Sequence, residues 1–259
     1  MWIEFILIGL AAGYLAGFLG IGGGFVIVPA LTYLFLQDPA TAPWAIHMAV
    51  ATSLSAMLVT SMSSLLSHHR KGAIQWSLVR SMSAGLVAGA ILGAYIASML
   101  HGDMLVRAFG VFALLVAFQL ILGRQPEAER GLPGTPVLSA TGGVIGFVSA
   151  LMGIGGGAMT VPWLLWHGAN PRRAVATSAA CGYPIAVAGS LSFLVLGQGN
   201  DLPNGTLGYI NPLAFIGIAL AGALAAPLGV ATVHRLPPTM VRRVFGLFLL
   251  FVSARMLWA

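Results

Sequence analysis

From Trp2 to Trp258 the chain passes through one apolar stretch after another, with no long polar segment between them. A helix needs about 20 residues to cross roughly 30 Å of hydrocarbon, so there is room for about six to ten crossings and none for a soluble domain beside them. Composition agrees: of 259 residues 58% are hydrophobic and 7% charged, where a soluble domain has about a quarter charged. The sequence predicts an all-α polytopic membrane protein whose surroundings are a lipid bilayer. A formal charge of +6 would suggest nucleic acid for a soluble chain, but here the twelve bases lie mostly in short connections and read as topology signals, so no nucleic-acid partner is expected. The single cysteine, Cys181, offers neither an intrachain disulfide nor a thiolate metal cage. The start, Met1-Trp2-Ile3-Glu4, lacks the basic region of a cleaved signal peptide and is expected to be retained.

The second half of the chain restates the first in order. Gly20-Ile21-Gly22-Gly23-Gly24, followed by Pro29, returns as Gly153-Ile154-Gly155-Gly156-Gly157, followed by Pro162. Ala49-Val50-Ala51-Thr52-Ser53 returns as Ala174-Val175-Ala176-Thr177-Ser178, and the series around Arg107 to Phe112 returns around Arg243 to Phe248. Repeats at this distance mark a duplication. It divides the chain into a first transmembrane repeat, 1–123, a polar and proline-rich cytoplasmic linker, 124–136, and a second repeat, 137–259. In each repeat five apolar elements are read, near 3–19, 22–36, 44–67, 75–100 and 105–123, then 137–152, 155–167, 174–197, 210–234 and 240–258.

Residues 4–36 as one straight helix would be about 50 Å long, well beyond the hydrocarbon core, so the three adjacent glycines mark a break. Each repeat is a glycine-broken helix pair followed by three long helices. It crosses either five times, or three times behind a re-entrant hairpin. Both counts are odd, which inverts one repeat relative to the other. Loop charges point the same way: 37–43 carries Asp38 where its counterpart carries Arg172 and Arg173, and 68–72 carries Arg70 and Lys71 where its counterpart carries Asp201. Placing the basic loops in the cytoplasm leaves outside only Arg107 and Arg255 of the twelve bases, and both termini with them. Inverted repeats are typical of secondary transporters, with the site near the midplane where discontinuous helices meet.

That places the candidate site at Gly20, Gly22, Gly23 and Gly24 and at Gly153, Gly155, Gly156 and Gly157. Glycine lets peptide N–H groups approach a ligand closely, and a helix starting after the break aims its positive dipole end at the same point. Two such ends facing each other make an anion site. The competing reading is close helix packing, although packing motifs space small residues by four and contiguous glycines destroy helix propensity. Thr52, Ser53, Thr177 and Ser178 add hydroxyls that bring no charge; helix capping or back-bonding explains them equally well. His47 and His167 read as interfacial or packing residues. No His, Cys and carboxylate spacing suggests a metal, no P-loop or dinucleotide setting suggests a cofactor, and no paired serine and histidine suggest an enzyme. None of the six acids falls centrally in an apolar element, so a carboxylate proton relay is not expected.

The repeated glycine break with its proline, the paired Ala-Thr-Ser segments and the all-helical length resemble the TauE/SafE sulfite exporter family, from Gly9 to Phe251. The resemblance implies a multi-pass permease of a bacterial inner membrane, an exporter of a small anion such as sulfite or an organosulfonate. Within the duplication the segment Cys181-Gly182-Tyr183-Pro184 departs from its counterpart, and substrate choice is expected there. A homo-oligomer is compatible with this reading. The alternative is a non-transporting assembly or accessory subunit, against which stand the short cytoplasmic loops and the cavity that glycine breaks imply.

Overall fold

The computed structural model describes residues 2–19, 22–122, 131–232 and 238–258. They form ten α-helices: α1 (Trp2–Leu19), α2 (Gly24–Leu36), α3 (Ala45–Arg70), α4 (Trp76–Met99), α5 (Gly102–Leu122), α6 (Thr135–Met152), α7 (Gly157–Trp166), α8 (Pro171–Leu196), α9 (Pro212–Thr232) and α10 (Pro238–Trp258). Each apolar element expected from the sequence is one of these helices. Six, α3 to α6 with α8 and α9, are long and apolar enough to cross a bilayer. The chain is an all-α polytopic membrane protein. Gly20 and residues 124–130 of the linker lie outside the described residues.

In lipid, apolar helices gain little by hiding from their surroundings, so they associate where small residues let backbones touch. Helix α1 does this against α9. A Cβ at Gly9 would stand 2.6 Å from the Ile218 carbonyl oxygen, and Cβ atoms at Gly13 and Gly17 would overlap the backbone of Gly222 and Ala226. Helix α6 meets α4 in the matching register: a Cβ at Gly142 would stand 2.6 Å from the Met82 carbonyl oxygen, and one at Gly146 would overlap that of Leu86. On α4, Gly85, Gly89 and Gly93 are pressed in turn against Ser139, Gly143 and Phe147. Both pairs run parallel.

Two further pairs join helices that correspond in the duplication. Gly110 of α5 packs on Leu257 of α10, while Gly246 of α10 packs on Ile121 of α5. Leu54 of α3 packs on Gly189 of α8, while Ser61 of α3 lies near Gly182. Corresponding helices thus run antiparallel where they touch. Helices α3 and α8 form the centre, and the stretch from Ala45 to Met57 is buried throughout.

One end of the molecule gathers Trp44, the α4–α5 turn and the chain between α8 and α9. His47 Nε2 lies 3.0 Å from the Leu100 carbonyl oxygen, and its ring is flanked by Trp44 and Tyr209. His167 is likewise tied locally, its Nδ1 2.9 Å from the Trp163 carbonyl oxygen. Both histidines are held by backbone carbonyls, in keeping with packing roles.

Candidate functional site

The first break ends α1 and starts α2. Gly22 adopts a positive φ of 79°, which a side chain would strain, and Gly23 is the N-cap of α2. The second break is built similarly: Gly153, at φ 69°, caps α6, and Gly156, at φ 71°, opens α7. Neither α2 nor α7 has a side-chain cap. The N–H groups of Val26 and Ile27 return to the Gly23 carbonyl, and those of Met159 and Thr160 return to that of Gly156. Helix geometry leaves the first two amides of each helix, at Gly24 and Phe25 and at Gly157 and Ala158, without an intrahelical acceptor.

The two breaks meet. A Cβ at Gly22 would stand 3.1 Å from the Gly155 nitrogen, and one at Gly155 would stand 3.6 Å from the Gly22 Cα. A Cβ at Gly24 would overlap the Gly153 carbonyl oxygen. Sequence-expected glycines from opposite halves of the chain are therefore in van der Waals contact, and Gly23, Gly24, Gly153, Gly155, Gly156 and Gly157 are buried. The starts of α2 and α7, each carrying the positive end of its helix dipole, thus lie close to this contact between the halves.

The four hydroxyl residues lie fully buried around this junction, and three of their contacts bind one half of the chain to the other. Ser53 Oγ donates to the Gly153 carbonyl oxygen at 2.8 Å. Thr52 Oγ1 accepts from the Asn211 N–H at 3.0 Å, and Thr177 Oγ1 accepts from the Gln75 N–H at 3.1 Å. Asn211 and Gln75 precede α9 and α4, so each threonine seats the start of a helix from the other half. Ser178 is also engaged.

Two residues outside the set of site residues expected from the sequence also border this junction. Ser149, one turn before the second break, is fully buried, and its Oγ has no hydrogen-bond partner; it lies 3.3 Å from where a Cβ of Gly156 would be. Met57 of α3, 1% exposed, reaches both breaks: its Cε is 3.5 Å from the Cβ position of Gly22 and its Sδ 3.5 Å from that of Gly155. A polar side chain without an evident partner was the available signal for Ser149; Met57 gave none. From the segment where substrate choice was expected, Gly182 faces the junction, its Cβ position 2.9 Å from the Gly155 carbonyl oxygen. Tyr183 and Pro184 instead line an apolar groove of about 850 Å³ between α4 and α8.

The buried polar side chains among the described residues are hydroxyls and His47, without a lysine, arginine or carboxylate. Backbone and hydroxyl dipoles can hold an anion at such a point without a fixed counter-charge. No group of His, Cys, Asp or Glu among the described residues is placed to hold a metal ion.

Comparison with known proteins agrees with this architecture. The chain is 33% identical over 253 residues to a probable membrane transporter protein of Haemophilus influenzae, an alignment covering 97% of this chain and 96% of that protein. It is 28% identical over 263 residues to a probable membrane transporter protein of Methanocaldococcus jannaschii, covering 95% and 94% of the two chains. A probable membrane transporter protein of Bacillus subtilis is 28% identical over 221 residues, covering 78% and 81%. The model of the sulfite exporter TauE/SafE family matches residues 5–256, and with helix breaks, length and relatives in accord the chain belongs to this family of membrane transporters.

Proposed function

We propose that this transporter carries a small oxyanion, such as sulfite or an organosulfonate, bound between the two glycine breaks and exported across a bacterial cytoplasmic membrane. The observation that carries the reading is the contact of Gly22 with Gly155, where two uncapped helix starts converge beside the buried, unpartnered hydroxyl of Ser149. Helix starts of this kind favour anions through their N–H groups and dipoles, and their partial charges release the ligand more readily than a buried cation would. The starts of the two helices and the central helices α3 and α8 are packed closely at this junction, so passage of an anion through it calls for the halves to move relative to each other. Antiparallel packing of α3 on α8 and of α5 on α10 supports an inverted-repeat relation, in which a pseudo-two-fold rotation in the membrane plane exchanges the inward- and outward-facing arrangements.

The substitution Gly155→Ala tests the site with little strain. Its Cβ would meet nothing closer than Met57 Sδ at 3.5 Å, an ordinary contact, yet it would stand at the junction where the anion must lie. In proteoliposomes loaded with labelled sulfite or sulfoacetate, the wild type is expected to release label, and Gly155→Ala to retain the wild-type melting temperature but transport at least tenfold more slowly. Wild-type liposomes that release neither anion faster than empty ones would refute the transport reading, and a fully active Gly155→Ala variant would refute the site.

A further inference from the structure

The two halves do not contribute equally to the junction. The register that aligns Thr52-Ser53 with Thr177-Ser178 also aligns Met57 with Gly182. One central helix therefore presents a long thioether to the glycine breaks, and the other presents no side chain at the corresponding position. Across the breaks the register that pairs Gly22 with Gly155 pairs Ser149 with Ala16, so the unpartnered hydroxyl also comes from one half only.

We infer that Met57 is the size-determining residue of this transporter, a flexible plug lodged across the two glycine breaks that withdraws to admit the anion and limits the bulk of the group attached to it. The inference rests on the proposed anion site. The Met57 methyl group lies within 3.6 Å of the Cβ positions of both Gly22 and Gly155, so it bounds the space above each glycine that a ligand approaching the peptide N–H groups must cross. Methionine suits a movable boundary, because its unbranched chain has three rotatable bonds and a soft, uncharged sulfur that adapts to irregular gaps. Gly182 of α8 adjoins the second break as well, where a methyl group would approach the Gly155 carbonyl oxygen to 2.9 Å. The anionic head is recognised by N–H groups and a hydroxyl, which any small sulfonate satisfies, so discrimination falls to the apolar wall facing its substituent.

The test compares sulfite, sulfoacetate and benzenesulfonate in proteoliposomes containing wild type, Met57→Ala, Met57→Leu or Gly182→Ala, each checked for monodispersity and melting temperature. One methylene in an apolar pocket changes selectivity by roughly 10- to 200-fold, so Met57→Ala is expected to raise kcat/KM for benzenesulfonate relative to sulfite by at least about tenfold. Met57→Leu, similar in volume but branched and stiffer, is expected to keep the wild-type ranking with slower turnover for every anion. Gly182→Ala is expected to move the ranking oppositely, towards sulfite, and it keeps the inference testable should Met57→Ala lose its fold. A packing role alone predicts that Met57→Ala slows all three anions by one common factor and that Met57→Leu restores them; unchanged ratios in Met57→Ala and Gly182→Ala would overturn the inference. In that case wild-type flux of sulfite would still stand, whereas a wild type inert to all three anions would remove the anion site and the role of Met57 together.

Discussion

Ser53 and Ser149 are both fully buried beside the second glycine break, but their hydroxyls are in opposite situations. Ser53 donates to the Gly153 carbonyl oxygen, so its one proton serves to tie α3 to the end of α6. Ser149 has no partner. Removing the first donor leaves a buried carbonyl unpaired, at a cost of about 1–3 kcal/mol, so Ser53→Ala is expected to lower the melting temperature of the purified protein measurably. Ser149→Ala removes a group whose hydrogen bond has yet to be made. Stability is expected to stay level or rise, while the KM for sulfite increases about tenfold or more, since a hydrogen bond to a charged group contributes about 1.5–3 kcal/mol. Thermal melts and initial rates on the same two preparations separate the cases. A Ser149→Ala variant with wild-type KM would place the anion elsewhere.

Among the elements, the breaks and the glycine stripes use one residue type in two ways. Contiguous glycines at 22–24 and 155–157 interrupt helix; glycines spaced by four, as at Gly85, Gly89 and Gly93, continue it and bring backbones together. Both patterns are visible in the sequence, but only the first says where it acts. A break follows from length alone, because no unbroken helix of 4–36 fits a bilayer, and the positions of all ten helices follow from apolar runs divided by prolines, glycines and charges. A stripe of small residues identifies a contact face without identifying its partner, so the docking of α1 on α9 and α6 on α4, across the halves, needed the structure. The same limit applies to the hydroxyls. Thr52, Ser53 and Thr177 were marked by their repetition, yet whether each served the ligand or the fold depended on Asn211, Gly153 and Gln75, which are remote in sequence. Met57 carried no mark, because a methionine in an apolar helix is ordinary, and Ser149 carried only the weak one of a lone hydroxyl in an apolar run one turn before the break. The stripe has its own test. Leucine at Gly89 would drive a side chain into the Gly143 carbonyl, so Gly89→Leu is expected to abolish monodisperse protein in detergent, whereas Gly155→Ala yields folded protein that transports poorly. Folded and active Gly89→Leu would mean that α4 and α6 are not held as described.

At the scale of the whole molecule, orientation and energetics are linked. With the basic loops inside, Asp38 and Asp201 face outward and Lys71 faces the cytoplasm. Single cysteines at these positions in a Cys181→Ala background are expected to react with an impermeant thiol reagent at Asp38 and Asp201 but not at Lys71 in intact cells; the reverse pattern would overturn the topology. This orientation gives an anion exporter a ready source of energy. A cell interior negative by 100 mV drives each elementary negative charge outward with about 2.3 kcal/mol, enough to sustain roughly a fiftyfold gradient of a monoanion, and a dianion gains twice that. None of the buried side chains among the described residues is a carboxylate of the kind that relays protons in many pumps, and the proposed site binds through neutral dipoles, so the translocated complex keeps the charge of its anion. Export through the proposed site is therefore expected to proceed without a coupling ion, at a rate that follows the membrane potential. Proteoliposomes loaded with labelled sulfite and given a potassium diffusion potential, negative inside, with neither sodium nor pH gradient, are expected to release label faster as the potential grows and to slow when it is collapsed with a protonophore-free potassium clamp. Efflux indifferent to that potential, but accelerated by an imposed sodium or proton gradient, would show that a second ion travels with the anion and that the neutral junction between the breaks is not the whole of the transport site.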